Sequence, residues 1–262
     1  MKKRYEILIT NDDGYEAKGL HTLIESIKTI ENVHVTVVAP ANEKSACGHS
    51  LTLHHPLRFI QVDDDFFKLA DGTPSDCVYL SLSAIYGDET KPDLVLSGIN
   101  KGSNMGEDIT YSGTCSAAME AVLHDIPAIA LSQVVDFNEP FIDYTKAAQT
   151  AKMLVQKIIE GSFPLPKREF LNINFPKNIK EIQFKITYAG YRHYVNDAVL
   201  HRNPRGEEYY WLGLHPLRFD PRKGKEHLLY DYDAIEQGFI SITPIQLDMS
   251  AYESIERLEQ WI

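Results

Sequence analysis

The chain has 262 residues, 44% hydrophobic and 24% charged, with a formal net charge of −11. That length fits one large α/β domain, or a domain with an extension, and no apolar run approaches the ~20 residues needed to span a bilayer. The acidic balance argues against a long nucleic-acid backbone as partner, which would need clustered Lys and Arg, but leaves room for a small phosphate ester neutralised locally by a metal.

The basic start, Met1-Lys2-Lys3-Arg4, precedes an apolar run too short for a signal peptide, and no small-residue cleavage site follows, so a cytoplasmic protein is expected. The run from Ile7 is β-branched and uncharged, as in a strand buried on both faces. Asn11-Asp12-Asp13-Gly14 stops it at once, and Leu20, Leu23, Ile24, Ile27 and Ile30 follow at helix spacing. Strand, acidic turn and helix form the first crossover of an α/β sheet, whose ligands bind beyond the carboxyl ends of the strands. Asp12 and Asp13 stand at such an end; adjacent carboxylates repel, and a hard cation relieves that cost.

Val33 to Ala39 is a second buried strand, and the polar loop 41–50 leaves its carboxyl end. Leu51–Leu53, Leu57–Val62 and Phe66–Leu69 are read as short strands of a β excursion outside the central sheet. Thr73, Pro74 and Asp76 are a helix start, with the helix running to about Ile85. Pro92 to Ser97 is a third buried strand, emptying into the longest glycine-rich stretch, Gly98 to Asp108, and then Tyr111-Ser112-Gly113-Thr114. Such glycines let backbone N–H groups converge on an anion, and the helix from Cys115 to about Leu123 has an N-terminus suited to the same task.

Ala128 to Leu131 is a fourth strand, and Tyr144 to Ile158 is an amphipathic helix ended by Gly161. Phe170–Ile173, Ile182–Ile186 and Phe239–Thr243 are further strands, and Ser250-Ala-Tyr-Glu253 has the pattern of a capping box opening a last helix. Between them, Tyr188, Tyr191, Tyr194, Tyr209, Tyr210 and Trp211 lie in a turn-rich region without helix periodicity, which suggests a projecting hairpin whose aromatics meet a partner subunit.

Several strand ends therefore offer oxygen to one rim: Asp12 and Asp13, then Ser45, then Asn100. Two carboxylates, a hydroxyl and an amide form a hard set suited to Mg²⁺, Mn²⁺ or Ca²⁺. With the Gly102–Gly106 loop and the Ser112–Thr114 helix start as phosphate donors, it is the minimum equipment for metal-assisted phosphate ester hydrolysis. His49, His54 and His55 lack acidic sequence neighbours and are read as structural or substrate-side. The cysteines, Cys47, Cys77 and Cys115, are widely spaced and suggest neither a disulfide framework nor a zinc site.

The blocks ITNDDG (9–14), AP-x4-SACGHSLTL (39–53), DGTPSDCVYL (71–80), PDLVLSGINKGSNMGEDITYSGT (92–114), YYWLG (209–213) and ISITPI (240–245) resemble the SurE family of survival-protein nucleotidases, in the family's order. The resemblance implies a Rossmann-like three-layer α/β sandwich with a mostly parallel sheet, a projecting β-hairpin arm and a C-terminal helix used in oligomerisation. It implies a single domain over 1–262, with 1–165 as the nucleotidase core and 166–262 supplying further core strands, the arm (about 188–215) and the last helix. It also implies release of phosphate from nucleoside 5′- and 3′-monophosphates, with polyphosphate trimming in some members.

The family's metal ligands fall on Asp12, Asp13, Ser45 and Asn100, for one divalent cation per subunit: Mg²⁺ or Mn²⁺, with Ca²⁺ able to stand in within crystals. Its phosphate-side positions fall on Asn104 and Ser112, with Gly102, Gly106, Gly113 and Thr114 around them. Asp12, Asp13, Asn104 and Ser112 are the expected catalytic set. Expected partners are a nucleoside monophosphate and further copies of the chain, as a dimer or tetramer with exchanged C-terminal arms, and neither long nucleic acid nor membrane. Cys115 and Ser116 depart from the usual Val and Ala and are expected to affect packing. A phosphoacceptor domain would place Asp at the third strand's end, where this chain has Leu96-Ser97-Gly98, and a haloacid-dehalogenase phosphatase needs Asp-x-Asp. A non-catalytic metal- and nucleotide-binding regulator is the remaining alternative.

Overall fold

The structure is a computed structural model, describing residues 3–87, 90–194, 198–212 and 216–262. Met1 and Lys2 of the basic start, and positions 195–197 and 213–215 of the expected arm, lie outside the described residues.

The apolar runs become strands β1 (Tyr5–Thr10), β2 (Val33–Pro40), β3 (Arg58–Asp63), β4 (Phe66–Ala70), β5 (Leu94–Lys101), β6 (Ala128–Gln133) and β7 (Glu169–Phe175). They are followed by β8 (Phe184–Ile186), β9 (Tyr191–Tyr194), β10 (Ala198–Arg202), β11 (Glu208–Leu212), β12 (Pro216–Asp220) and β13 (Ile240–Gln246). The helices are α1 (Lys18–Ile27), α2 (Pro74–Ser81), α3 (Gly113–Leu123), α4 (Thr145–Glu160), α5 (Asp231–Glu236) and α6 (Ile255–Trp261). No helix among the described residues is long and apolar enough to cross a membrane.

Nine strands form one sheet in the order β3-β4-β2-β1-β5-β6-β7-β13-β8. The run from β4 to β7 is parallel, so its carboxyl ends share one rim. From β1 the chain steps to β2 on one side and later returns to β5 on the other. The crevice between β1 and β5 is thus the topological switch point, where open α/β sheets take their ligands.

Alternation along β1 divides the core. Ile7 and Ile9 pack with Leu20, Leu23 and Ile27 of α1 and Ala147, Ala151 and Val155 of α4. Leu8 faces the other way, to Cys77 and Val78 of α2 and Ala117, Ala118 and Ala121 of α3. These side chains are buried, and such burial stabilises by about 25 cal/mol per Å² of apolar surface. The result is the expected three-layer α/β sandwich with a mostly parallel sheet.

Two local expectations need correction. β3 and β4 are not an excursion: β4 pairs in parallel with β2, Val37 opposite Phe66, which makes both strands part of the central sheet. Residues 51–53 form no strand; instead the Thr52 N–H and hydroxyl donate to the Asp76 carboxylate at 2.9 and 2.6 Å. Asp76 also closes the capping box with Thr73 at the start of α2. At the other end of the chain the Ser250 pattern caps nothing. Its N–H donates to Asp248, and α6 begins without a side-chain cap.

The aromatic region forms two antiparallel ribbons, β9 with β12 and β10 with β11. Tyr210, Trp211 and Leu212 of β11 are exposed, as are Tyr252, Leu258 and Trp261 in and before α6.

Candidate functional site

Asp12 and Asp13 leave the carboxyl end of β1 into the crevice. Asp12 is buried, and both its oxygens are occupied: the Thr114 hydroxyl donates to Oδ1 at 2.5 Å and the Thr114 N–H to Oδ2 at 3.1 Å. Gly113 makes this approach possible, since a Cβ there would lie 2.7 Å from the Asp12 Cβ. Asp13 Oδ2 accepts the Lys101 N–H at 2.9 Å, and its Oδ1 accepts no hydrogen bond among the described residues. Burial raises the pKa of Asp12 against the pull of its Thr114 bonds. Burial, then the Asp12 charge, pushes Asp13 up to about 7. Two carboxylates are therefore held together at an electrostatic cost that the Thr114 and Lys101 contacts offset only in part.

Asn100 ends β5 beside them. Its Nδ2 donates to the Gly102 carbonyl at 2.9 Å, which leaves Oδ1 as the acceptor end. Ser45, in the loop after β2, is exposed, and its hydroxyl donates to Glu43 at 2.7 Å. That bond points the Ser45 proton at a carboxylate and leaves the oxygen lone pairs for another partner. Glu43 also adds its negative charge to both aspartates. Among the described residues no group of three His, Cys, Asp or Glu forms a metal cluster. The donor set at this rim is instead two carboxylates, an amide oxygen and a hydroxyl, which fits a hard divalent cation keeping some water.

The glycine loop differs from the open anion cradle expected of it. Its N–H groups are largely spent inside the protein: Lys101 on Asp13, Gly102 on the Gln133 carbonyl, Asn104 on Asn174 and Gly106 on Asp231. The start of α3 is similarly occupied. Thr114 gives both donors to Asp12, Cys115 N–H donates to the Ser112 hydroxyl oxygen at 3.0 Å, and Ser116 N–H to the Ser112 carbonyl. Gly113 N–H is the one left without a protein acceptor among the described residues. Thr114 thus serves Asp12 rather than an anion.

Side chains carry what remains. Asn104 is buried and uses one Nδ2 hydrogen on the Ser132 hydroxyl at 2.8 Å, keeping the other. Ser112 caps α3 through a lone pair and keeps its hydroxyl proton.

Four residues absent from the sequence reading belong to this region: Ser132, Asn172, Asn174 and Asp231. Asp231, at the start of α5, accepts from Gly106 N–H at 2.6 Å and Gly190 N–H at 3.2 Å, pinning the loop to the base of the ribbons. Arg192, which meets Asp108, ties the same two segments. His49 does find an acid in space: its Nε2 lies 2.7 Å from Glu120 Oε2, and His124 takes the other oxygen at 3.2 Å. That is a structural tie between the loop after β2 and α3. The Asn172 and Asn174 pattern, alternate asparagines on a buried strand, was visible in the sequence; the partners, 68 and 70 residues away, were not.

An acidic corner and a cluster of amide and hydroxyl donors thus lie together at the switch point of an α/β sheet. The family model described as survival protein SurE matches residues 7–196, and the chain belongs to that family. The 5′-nucleotidase SurE of Sulfurimonas denitrificans is 65% identical, over 99% of each chain. The protein of the same name from Nitratiruptor is 54% identical over 98% of this chain and 99% of its own. The crystal structure of the SurE protein from Aquifex aeolicus superposes with a TM-score of 0.80 at 38% identity, covering 98% of this chain and 99% of that one.

Proposed function

We propose that this chain is a 5′-nucleotidase that hydrolyses nucleoside monophosphates to nucleoside and phosphate at the β1–β5 crevice, in a reaction dependent on one divalent cation. The observation that carries this reading is the pair of mutually repelling carboxylates, Asp12 buried and Asp13 half-buried, beside neutral donors that retain unspent protons. Full-length relatives named 5′-nucleotidase support it.

Asp12, Asp13, Ser45 and Asn100 would hold the cation, which when bound supplies Lewis-acid polarisation of the phosphoryl group and activation of water. Asn104 Nδ2, the Ser112 hydroxyl and the Gly113 N–H bind the remaining phosphoryl oxygens and stabilise the charge that grows on them. Thr114 fixes Asp12 through both its oxygens, so that carboxylate serves to hold. Asp13, whose Oδ1 accepts no hydrogen bond from the protein among the described residues, would share the cation and also take the proton from the attacking water, which then passes to the departing nucleoside oxygen. Direct attack by Asp13 is the competing route. The stereochemical course at a phosphorothioate substrate made chiral with oxygen isotopes separates the two: inversion at phosphorus supports direct water attack, and retention replaces it with an aspartyl-phosphate intermediate.

The donors named here address only a phosphoryl group, and on that reading the activity extends to 3′-monophosphates and to terminal phosphates of short polyphosphate. The exposed aromatics of β11 and α6 support a dimer or tetramer built by exchanging these C-terminal elements.

The test is phosphate release from a panel of 5′- and 3′-nucleoside monophosphates with EDTA, then with Mg²⁺ or Mn²⁺ restored. Release that returns with the metal is the expected result. Tight nucleotide binding without release under any metal would replace the enzyme with a non-catalytic binding module.

A further inference from the structure

We infer that Asn172 and Asn174 of β7, with Ser132 of β6, are positioning residues that fix Asn104 for its work on the phosphoryl group. The inference rests on the reading of Asn104 given above and concerns how the chain holds that residue in place.

Along β7, side chains alternate between the two faces of the sheet. Ile173 and Phe175 enter the core beneath α1 and α4, while Phe170 enters the core beneath α3. Asn172 and Asn174 share the Phe170 face, and both are fully buried. A carboxamide in such a place is costly unless its polar atoms are matched.

The matches converge on one residue. Asn174 Oδ1 accepts the Asn104 N–H at 2.8 Å, and Asn174 Nδ2 donates to the Asn104 carbonyl at 3.0 Å. Asn172 Nδ2 donates to the same carbonyl at 2.8 Å. Ser132 Oγ accepts from Asn104 Nδ2 at 2.8 Å, and so turns the side chain as well as the backbone.

The Asn174 carboxamide thus pairs with the main chain of residue 104 as one strand pairs with another, donor to acceptor and acceptor to donor. Of the ordinary side chains short enough for this place, only asparagine offers a donor and an acceptor in one plane. Merely satisfying a buried loop carbonyl needs one donor. Here it receives two, while the N–H of the same residue and its side chain are held too. The remaining atom of the pair, Asn172 Oδ1, faces the Cys115 thiol at 3.6 Å, which links the clamp to the first turn of α3 and so to Ser112.

The consequence is division of labour along the rim. β1 and the end of β5 carry the acidic corner, and β6 and β7 carry the clamp. Loosening the clamp should spoil phosphate affinity and turnover and leave cation affinity alone.

The test compares Asn104→Ala, Asn174→Leu and the double variant of the full-length protein. Their readouts are kcat and KM for a nucleoside monophosphate, inhibition by inorganic phosphate and the Kd for Mn²⁺. Asn174→Leu, near-isosteric but without the pairing, should lose about 100-fold in kcat/KM, since misplacing a positioned group costs that much. Inhibition by phosphate should weaken alongside, with the Mn²⁺ Kd within about twofold. Because Asn174 acts through Asn104, the double variant should be little worse than the poorer single one, the non-additivity expected of a coupled pair.

Asn174→Leu with near-normal turnover, or losses that multiply in the double variant, would overturn the inference. An unimpaired Asn104→Ala would instead sink the role given to Asn104 itself. If Asn174→Leu does not yield soluble protein, Ser132→Ala carries the test. It removes one hydroxyl and should cost about fivefold in kcat/KM, the worth of one hydrogen bond; no loss there overturns the inference equally.

Discussion

The two halves of the rim solve opposite electrostatic problems. At the end of β1, Asp12 and Asp13 are packed together, with Glu43 adding to their repulsion and the Thr114 and Lys101 donors and the Lys101 charge offsetting it in part. Near the ends of β6 and β7, Asn104, Asn172, Asn174 and Ser132 are buried and neutral, and the last three all bond to Asn104. The first gathers like charge; the second matches its own donors and acceptors. The difference teaches where each binding energy comes from. On the function proposed, the acidic corner would give up unfavourable charge to an arriving cation, while the asparagine cluster would present donors already in place to a phosphoryl group.

The largest effect should come from removing charge at the corner. Asp13→Asn should cost about 1,000-fold in kcat, the scale of losing a main electrostatic element of a site. The same change should stabilise the EDTA-treated protein at pH 8. The folded pKa of Asp13, about 7, stands above its ordinary value of 3.8. The folded metal-free protein therefore binds that proton more tightly than the unfolded chain does. Its stability from this group is complete at low pH, falls as pH rises from about 4 to about 7, and then levels off. In EDTA the Tm advantage of Asp13→Asn over the parent should thus be absent near pH 4 and fully developed at pH 8. A parent protein that gains stability over that range relative to the variant would break the contrast between the two regions.

Gly113→Ala comes next. The new Cβ would meet the Asp12 Cβ at 2.7 Å and Oδ2 at 3.0 Å, displacing a carboxylate without changing any charge. About 100-fold in kcat/KM should follow, together with weaker Mn²⁺ binding by calorimetry. Thr114→Val removes one donor from buried Asp12 and keeps the shape. It should destabilise by about 1–3 kcal/mol in denaturant melts.

What the sequence could show follows the same division. The acidic corner was legible because Asp12 and Asp13 are neighbours in the chain and sit where a strand stops. Asn100 and Ser45 could be placed on the same rim because each follows another buried strand. The clamp was not, because Asn104 meets its partners across about 70 residues and a buried asparagine on a strand resembles any other strand residue until its partner is seen. The spending of the glycine-loop N–H groups on Asp13, Gln133, Asn174 and Asp231 was hidden for the same reason. β3 and β4 were misplaced because short strands with turns between them look alike whether they leave the sheet or extend its edge. α5, with six residues, is too short for periodicity to announce.

The smallest effect belongs to Cys115. Its thiol is fully buried and burial pushes it up to about 12, so it should resist iodoacetamide in the native protein. Cys115→Ala should change kcat/KM by less than about twofold, since the thiol is a weak donor at 3.6 Å from Asn172. A larger loss would show that the Asn172–Cys115 link to α3 carries weight in the clamp.

The measurement that tests the division of labour most directly is calorimetric titration of Mn²⁺ into the parent protein, Asp13→Asn and Asn104→Ala. The account predicts one Mn²⁺ per subunit for the parent and for Asn104→Ala, with similar affinity, and none for Asp13→Asn. Normal binding by Asp13→Asn, or its loss from Asn104→Ala, would contradict it.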